Sequence, residues 1–500
     1  MKKLLILLTV LLALGTSCKN DFLSVDEFNP NSASAVPANL VLPAALNNTA
    51  RNFTAPDNYS FIYLWYGCWS ISGGYSQPTN LTQYNLLASA YQGIWSFNYT
   101  NLLNYDYIDQ NSPTDKNKPF KAIAKIMKVY VYENLVDTYG NIPYTEALQT
   151  GTGILKPKYD DQQSIYEDLV LQLDAAMELI NTAPADADQV GNYDIIYHGD
   201  MSLWLKFANT LKLRLLMNQS GMTGRDAYIN TTLATTPHTP ADYIGAGEGA
   251  FSNPGYLNST DKMNPFWENF YKQDGSQQAD GLGYYVAGQD ACDFLTANND
   301  PRKLRFFQPS VPPSGTTVLG NYFGALLLQS VPVTSKLGPG MLEAFNQSAP
   351  ILTDFESLFI QAEAAARGFI SADAQSLYES AVTQSILFEG GAGGTVANAA
   401  TYLAQPKNLV SYAASTNKVQ AIITQKWMAM NGVNPQVIWV DYRRSGYPDF
   451  LHFTADGARL NDTPPVRLLY PQSEVSTNND NVLAQGAINL FTSKIFWQNR

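Results

Sequence analysis

The chain has 500 residues, 45% hydrophobic and 15% charged, with a formal net charge of −12. That composition supplies a sizeable core and excludes a disordered polypeptide, and the acidic surface repels phosphate backbones, so no nucleic-acid partner is expected. Three cysteines build no disulfide framework, and no C-x-x-C or Cys/His set at zinc spacing occurs, so neither a metal nor another cofactor is expected. At roughly 150 residues per domain the length allows about three domains, or one large helical body.

Met1-Lys2-Lys3 is a short basic start, Leu4 to Leu14 is apolar apart from Thr9, and Gly15-Thr16-Ser17-Cys18 follows. Residues 1–17 read as a secretory signal. The apolar run rises about 16 Å as a helix against about 30 Å of hydrocarbon, too little for a permanent span. Cys18 stands at the cleavage position, and the pattern resembles a bacterial lipobox, which implies cleavage before Cys18 and acylation, including by palmitate. Each buried methylene is worth about 0.8 kcal/mol, so several acyl chains anchor a protein to a membrane that it does not span. Cys68 and Cys292 read as buried thiols rather than as a pair.

Residues 18–43 are rich in Asn, Ser, Ala and Pro without a period and read as a lipidated tether, with a single body over 44–500. An aromatic segment opens the body: Tyr63, Trp65, Tyr66, Trp69 and Tyr75, then Tyr84, Tyr91, Trp95 and Tyr99. Gly73-Gly74 and nearby Ser, Gln and Asn place part of it on a loop. Flat rings with polar handles complement a sugar's C–H face and hydroxyls. Trp65, Trp69, Tyr75 and Trp95 are therefore candidate ligand contacts, with core filling as the competing reading for each.

Three amphipathic helices are expected at Phe120–Tyr139, Ser164–Asn181 and Ser202–Met217. Gly140 and Pro143 close the first, and Ser164 with Glu167 forms a capping box on the second. Between about 221 and 350 helical periods fade, Gly, Pro, Asn and Thr are dense, and only runs such as Val331-Pro332-Val333 favour strand. This reads as a loop-rich insertion, and insertions of that length are more often functional than idle. Trp267, in Asn264-Pro265-Phe266-Trp267, is a further candidate contact. Helices resume at Leu352–Arg367, Ala372–Phe388 and Asn417–Met430. In the first two, Ala362, Ala374, Tyr378 and Ala381 fall at the small and aromatic spacings of a tetratricopeptide unit, which must stack on other helix pairs to bury its outer face. The expected fold is mainly α, with a tetratricopeptide-like scaffold over about 115–220 and 350–432 and few short strands.

Signatures of catalysis are sparse. His198, His238 and His452 are isolated, and no zinc-protease, nucleophile-elbow, Walker A or EF-hand pattern occurs. Acidic pairs such as Asp160-Asp161 and Asp186-x-Asp188 leave open a glycoside hydrolase. Oxygen clusters at Asn298-Asn299-Asp300 and Asn478-Asn479-Asp480-Asn481 suit calcium or plain turns equally.

Several blocks, in order, resemble the SusD/RagB family of nutrient-binding outer-membrane lipoproteins. Asp137-Thr138-Tyr139-Gly140-Asn141-Ile142-Pro143-Tyr144-Thr145-Glu146-Ala147 resembles its YG-x-[IV]-PY-x-EA segment, and Lys158-Tyr159-Asp160 with Tyr166 its next block. Trp204 to Arg214 resembles its W-x-KFAN-x-LKLR helix, and Ala362 to Gly368 its AEA-x-x-RG turn. Gln425-Lys426-Trp427, Asp441 to Pro448 and Arg467 to Glu474 resemble its C-terminal signature. The resemblance implies a SusD-like helical fold and an outer-membrane location facing the exterior. It also implies non-enzymatic capture of an oligosaccharide or peptide for a SusC-type TonB-dependent transporter. Arg443, Arg444, Arg467 and Glu474 are expected to tie the C-terminal segment to the helices by charge-assisted bonds.

Overall fold

The computed structural model describes residues 36–279, 281–311 and 315–498. The signal run, Cys18 and most of the tether lie outside the described residues.

Helical structure starts before the expected end of the tether. α1 (Ala38–Thr54) contains Pro43, so residues 38–43 belong to the body and the tether boundary at 43 is corrected. An interior proline costs about 3 kcal/mol, but Leu42, Ala45, Leu46 and Ala50 are wholly buried, and each leucine contributes about 1.5–3 kcal/mol. Burial outweighs the breaker. α2 (Pro56–Trp65) and α3 (Gln92–Gln110) follow. Tyr105 and Asn101 of α3 both donate to the Ala45 carbonyl, at 2.9 and 3.0 Å, and lock α3 on α1.

The next three helices follow the expected periods: α4 (Lys118–Tyr139), α5 (Gln162–Asn181) and α6 (Met201–Asn218). Gly140 stops α4 at φ +75°, a conformation that an L side chain resists. The cap of α5 is Asp161 rather than Ser164: the Asp161 carboxylate accepts from the Ser164 N–H at 2.9 Å, and a carboxylate there also meets the positive end of the helix dipole. Asp200 caps α6 in the same way.

The middle of the chain is loop-dominated. Its main helix is α7 (Gln289–Ala297), with shorter pieces at Asp226–Leu233, Pro265–Glu268 and Lys303–Phe306. The Val331-Pro332-Val333 run forms a turn instead of a strand. The strands are short antiparallel pairs: β1 (Trp69–Ile71) with β5 (Tyr285–Ala287), β2 (Ile142–Pro143) with β3 (Tyr159–Asp160), and β4 (Ala250–Ser252) with β6 (Ala349–Leu352). The first stitches the aromatic segment to the insertion.

α8 (Asp354–Ala366) and α9 (Ala374–Glu389) form the expected antiparallel pair, with Ala362, Ala381 and Tyr378 wholly buried. α10 (Lys418–Ala429) and α11 (Pro435–Ser445) complete the scaffold. Charges staple it internally. Arg214 of α6 binds Glu133 of α4 at 2.5 Å and Glu356 of α8 at 2.9 Å. Arg444 of α11 binds Glu363 of α8 through both guanidinium amines, at 2.6 and 2.5 Å, and Asp441. The other three C-terminal ties are not ion pairs. Arg443 donates to the carbonyls of Asp137 and Val466, each at 2.7 Å, Arg467 donates to the Leu468 carbonyl, and Glu474 accepts from the Tyr159 hydroxyl at 2.8 Å. No helix among the described residues is long and apolar enough to cross a membrane. Cys68 and Cys292 are free and buried.

Candidate functional site

The five candidate contact residues separate by depth. Trp65 and Trp69 are 0% exposed and Trp95 is 5% exposed, so these three have no face to offer a ligand. The Trp69 indole N–H donates to Asn431 at 2.9 Å and its ring packs on Phe266 and Tyr285. Trp95 is enclosed by Tyr99, Tyr139, Tyr159 and Tyr470. Tyr75 and Trp267 remain half-buried at the surface, and both are organised by the segment 264–285.

Asn264 builds the start of that segment. Its side-chain oxygen caps the short helix Pro265–Glu268 by accepting from the N–H groups of Phe266 and Trp267, both at 3.0 Å, and its amide donates to the Gln347 carbonyl at 2.8 Å. The i,i+4 spacing then lays Tyr271 on Trp267, with ring centroids 4.2 Å apart and planes 20° from parallel. Phe266 and Phe270 point the other way, into the core. Further on, Tyr284 meets Tyr75 edge to face at 5.3 Å, and the Tyr75 hydroxyl donates to the Ala279 carbonyl at 3.2 Å. A Cβ at Gly283 would lie 2.7 Å from the Tyr75 hydroxyl oxygen, and one at Gly73 would lie 2.1 Å from the Leu328 carbonyl oxygen. Gly73 needs glycine because it meets backbone, whereas the contact at Gly283 is with the tip of a side chain.

Beside the Trp267 helix lies an open cleft of about 480 Å³. α1 contributes Asn48, Arg51 and Asn52 to its wall, α3 contributes Phe97, and Glu268 and Asn269 form the facing side. Phe97 is 54% exposed, and its ring lies next to Gly93, one turn earlier in its own helix. Asn58 donates to the Asn52 carbonyl at 3.0 Å, Asn52 to Asn98 at 3.3 Å, and the Arg51 guanidinium to the Asp261 carbonyl at 3.4 Å. Glu268 accepts from the Asp261 N–H at 2.5 Å and holds the rim. Amides that both donate and accept, next to the exposed Phe97 ring, form a surface suited to hydroxyl-rich ligands. Asn48, Arg51 and Asn52 are legible as one face only if α1 is read as a helix, and Pro43 obscures that.

The acidic pairs serve structure. Asp160 accepts from Tyr144 and Thr145, Asp161 caps α5, and Asp186 and Asp188 pair with Lys116 and Asn117. The two oxygen clusters are also engaged: Asp300 pairs with Arg302 at 2.6 Å, and Asn478 and Asn481 donate to the Pro157 carbonyl. Among the described residues no group of three His, Cys, Asp or Glu side chains stands ready for a metal.

The profile of the SusD-like family, described as starch-binding and associating with the outer membrane, matches residues 30–471. No curated protein matches the sequence. Among solved structures, a chitin-binding protein superposes with a TM-score of 0.75 at 24% identity, over 93% of this chain and 100% of its own. A chitin-binding SusD homologue from Flavobacterium johnsoniae gives 0.75 at 23%, over 91% and 98%. A SusD homologue from Bacteroides fragilis gives 0.73 at 20%, over 93% and 99%. At these identities the structural likeness establishes the fold, mainly helical with few short strands.

Proposed function

The chain belongs to the SusD-like family, and from that premise we propose that it is a non-enzymatic, cell-surface glycan-binding protein. It captures an oligosaccharide at the cleft lined by Phe97, beside the helix that carries Trp267. One observation carries this reading: the exposed Phe97 ring lines an open groove together with Asn48, Asn52, Asn58 and Asn269, and the stacked Trp267 belongs to the short helix whose Pro265 and Glu268 complete that lining. Capture needs only such a preformed surface and modest affinity, whereas hydrolysis needs a pair of carboxylates free to exchange protons, and the acids singled out in the sequence are committed to caps and ion pairs. Family membership and the chitin-binding neighbours support a polysaccharide fragment over a peptide. Two further steps belong to the same proposal: lipidation at Cys18 holds the protein on the outer face of the outer membrane, and a SusC-type TonB-dependent transporter takes the cargo.

Isothermal titration of the purified protein with maltoheptaose and chitohexaose tests the site. Replacing Phe97 or Trp267 by alanine is expected to weaken binding about tenfold, the order of one lost ring contact of ~1.4 kcal/mol. Unchanged affinity in both variants removes the cleft from the proposal, and release of shortened sugars during incubation removes the non-enzymatic reading.

A further inference from the structure

A second cavity, of about 500 Å³, opens on the opposite side of α3, between α4, α5 and the loop after β2. Its volume lies within the range of small-molecule sites, about 300–1,000 Å³. α3 and α4 form one wall, joined by a ladder in which Lys128 binds Asp106 at 2.7 Å and Lys125 binds Asp109 at 3.3 Å. α5 supplies Asp168 and Gln172, and the loop supplies Tyr144, Leu148 and Gln149. Leu148 sits at φ +62°, a left-handed conformation that a non-glycine residue adopts only at a cost.

The charged side chains lining this cavity are Asp106, Asp168, Lys125 and Lys128, which sum to zero. Lys128 is already matched by Asp106, Lys125 by Asp109 and Gln172, and Asp168 by the Tyr144 hydroxyl at 2.5 Å. An anionic ligand would have to displace a carboxylate from Lys125 or Lys128; a neutral one would not. Hydrogen-bonding capacity is nonetheless left over. Tyr132 is only 3% exposed, lines the cavity, and its hydroxyl makes no hydrogen bond to any described residue. Asp168 uses one carboxylate oxygen for both Tyr144 and Gln172, so the other is a spare acceptor. Gln149 spends its amine on the Thr145 carbonyl at 2.6 Å and keeps its oxygen. Spare donors and acceptors alternating in this way are met by groups that do both, which is the property of a hydroxyl. Burial and the nearby Asp106 carboxylate push the Tyr132 phenol well up, so it stays protonated and able to donate.

We propose that this cavity is a second ligand site, separate from the Phe97–Trp267 cleft, and that it takes a neutral, hydroxyl-rich small molecule of one or two sugar units. Tyr132, Asp168 and Gln149 are its recognising groups, and the Lys–Asp ladder is the rigid wall that holds them. The site stands on its own lining and survives the loss of the cleft.

The test uses the whole chain carrying Phe97→Ala and Trp267→Ala, so that the cleft is silenced, and titrates it calorimetrically with maltose and N,N′-diacetylchitobiose. Glucosamine hydrochloride and sodium glucuronate serve as charged probes. Binding of at least one neutral probe is expected, weakened roughly threefold to tenfold by Tyr132→Phe, the loss of one hydrogen bond. Thr152→Trp, at the exposed mouth, is expected to abolish it. Gln149→Ala at the rim gives an independent reading if Tyr132→Phe proves unstable. The proposal is overturned if neither neutral sugar binds, if binding ignores all three substitutions, or if a charged probe binds more tightly than both neutral ones. Failure of the cleft appears separately, as insensitivity of the otherwise unaltered protein to the Phe97 and Trp267 substitutions.

Discussion

Two aromatic regions of this chain look alike in composition and differ in what they do. In the segment from Tyr63 to Trp69 the rings face inward: Tyr63 stacks on Trp69 at 4.2 Å, and the Trp427 indole donates to the Tyr66 carbonyl at 2.9 Å. In the segment 264–285 the rings alternate, with Phe266 and Phe270 buried while Trp267, Tyr271 and Tyr284 keep a face in solvent. Both regions touch, since Trp69 packs on Phe266, Phe270 and Tyr285. The outer layer uses the inner one as a floor. Aromatic density therefore marks where the molecule invests packing energy, and only the cover over each ring decides whether that ring is free for a ligand.

That contrast is easiest to break at its buried end. Trp69→Ala removes a wholly buried ring and leaves the Asn431 acceptor without its donor, so the free energy of unfolding in urea is expected to fall by about 3–5 kcal/mol. A loss below ~1 kcal/mol would show that the inner layer is no floor.

The ionic staples give an intermediate effect with a definite pH signature. Burial pushes the Glu363 carboxyl up, but the Arg444 guanidinium wins and holds it down at about 2, against 4.5 for an ordinary glutamate. Its stabilisation, about 3 kcal/mol, is complete above pH 4.5 and disappears as the pH falls toward 2. Asp137 and Glu389 have the opposite sign: burial raises them to about 7 and about 8. They keep protons that the unfolded chain releases near their ordinary 3.8 and 4.5, so stability declines as the pH rises through that window. The melting temperature is expected to peak near pH 4, and Glu363→Gln should flatten the acid limb; a melting curve that keeps rising from pH 5 to 8 contradicts the two raised carboxyls.

The smallest effect sharpens the comparison most. Trp267→Ala is expected to change stability by less than about 1 kcal/mol in the same urea titration, because much of its ring already faces water. A destabilisation as large as that of Trp69→Ala would move Trp267 to the inner layer.

Much of the scaffold was legible in advance. α4, α5, α6 and the α8–α9 pair carry apolar residues at helical spacing, and Gly140 and the acidic caps mark ends by local chemistry. α1 was hidden by Pro43 and α3 by its many Asn and Tyr residues, whose pairing with Ala45 appears only when the two helices meet. Among the candidate rings, Tyr75 and Trp267 lie half-buried on segments that Gly73-Gly74 and Asn264-Pro265 mark as loops. Trp65, Trp69 and Trp95 were not separable from them, since Leu81, Asn431 and Tyr470, which cover them, are remote along the chain. Phe97 and the Asn48–Arg51–Asn52 face were missed together with their helices.

What the sequence determined by itself is the set of helices whose period and caps are written within a turn or two of each residue, because backbone hydrogen bonds and dipole capping act over that range. Exposure was decided only by the tertiary structure. Whether a ring is floor or platform depends on which distant segment lies above it, and that follows from how all the helices share one core rather than from any local pattern.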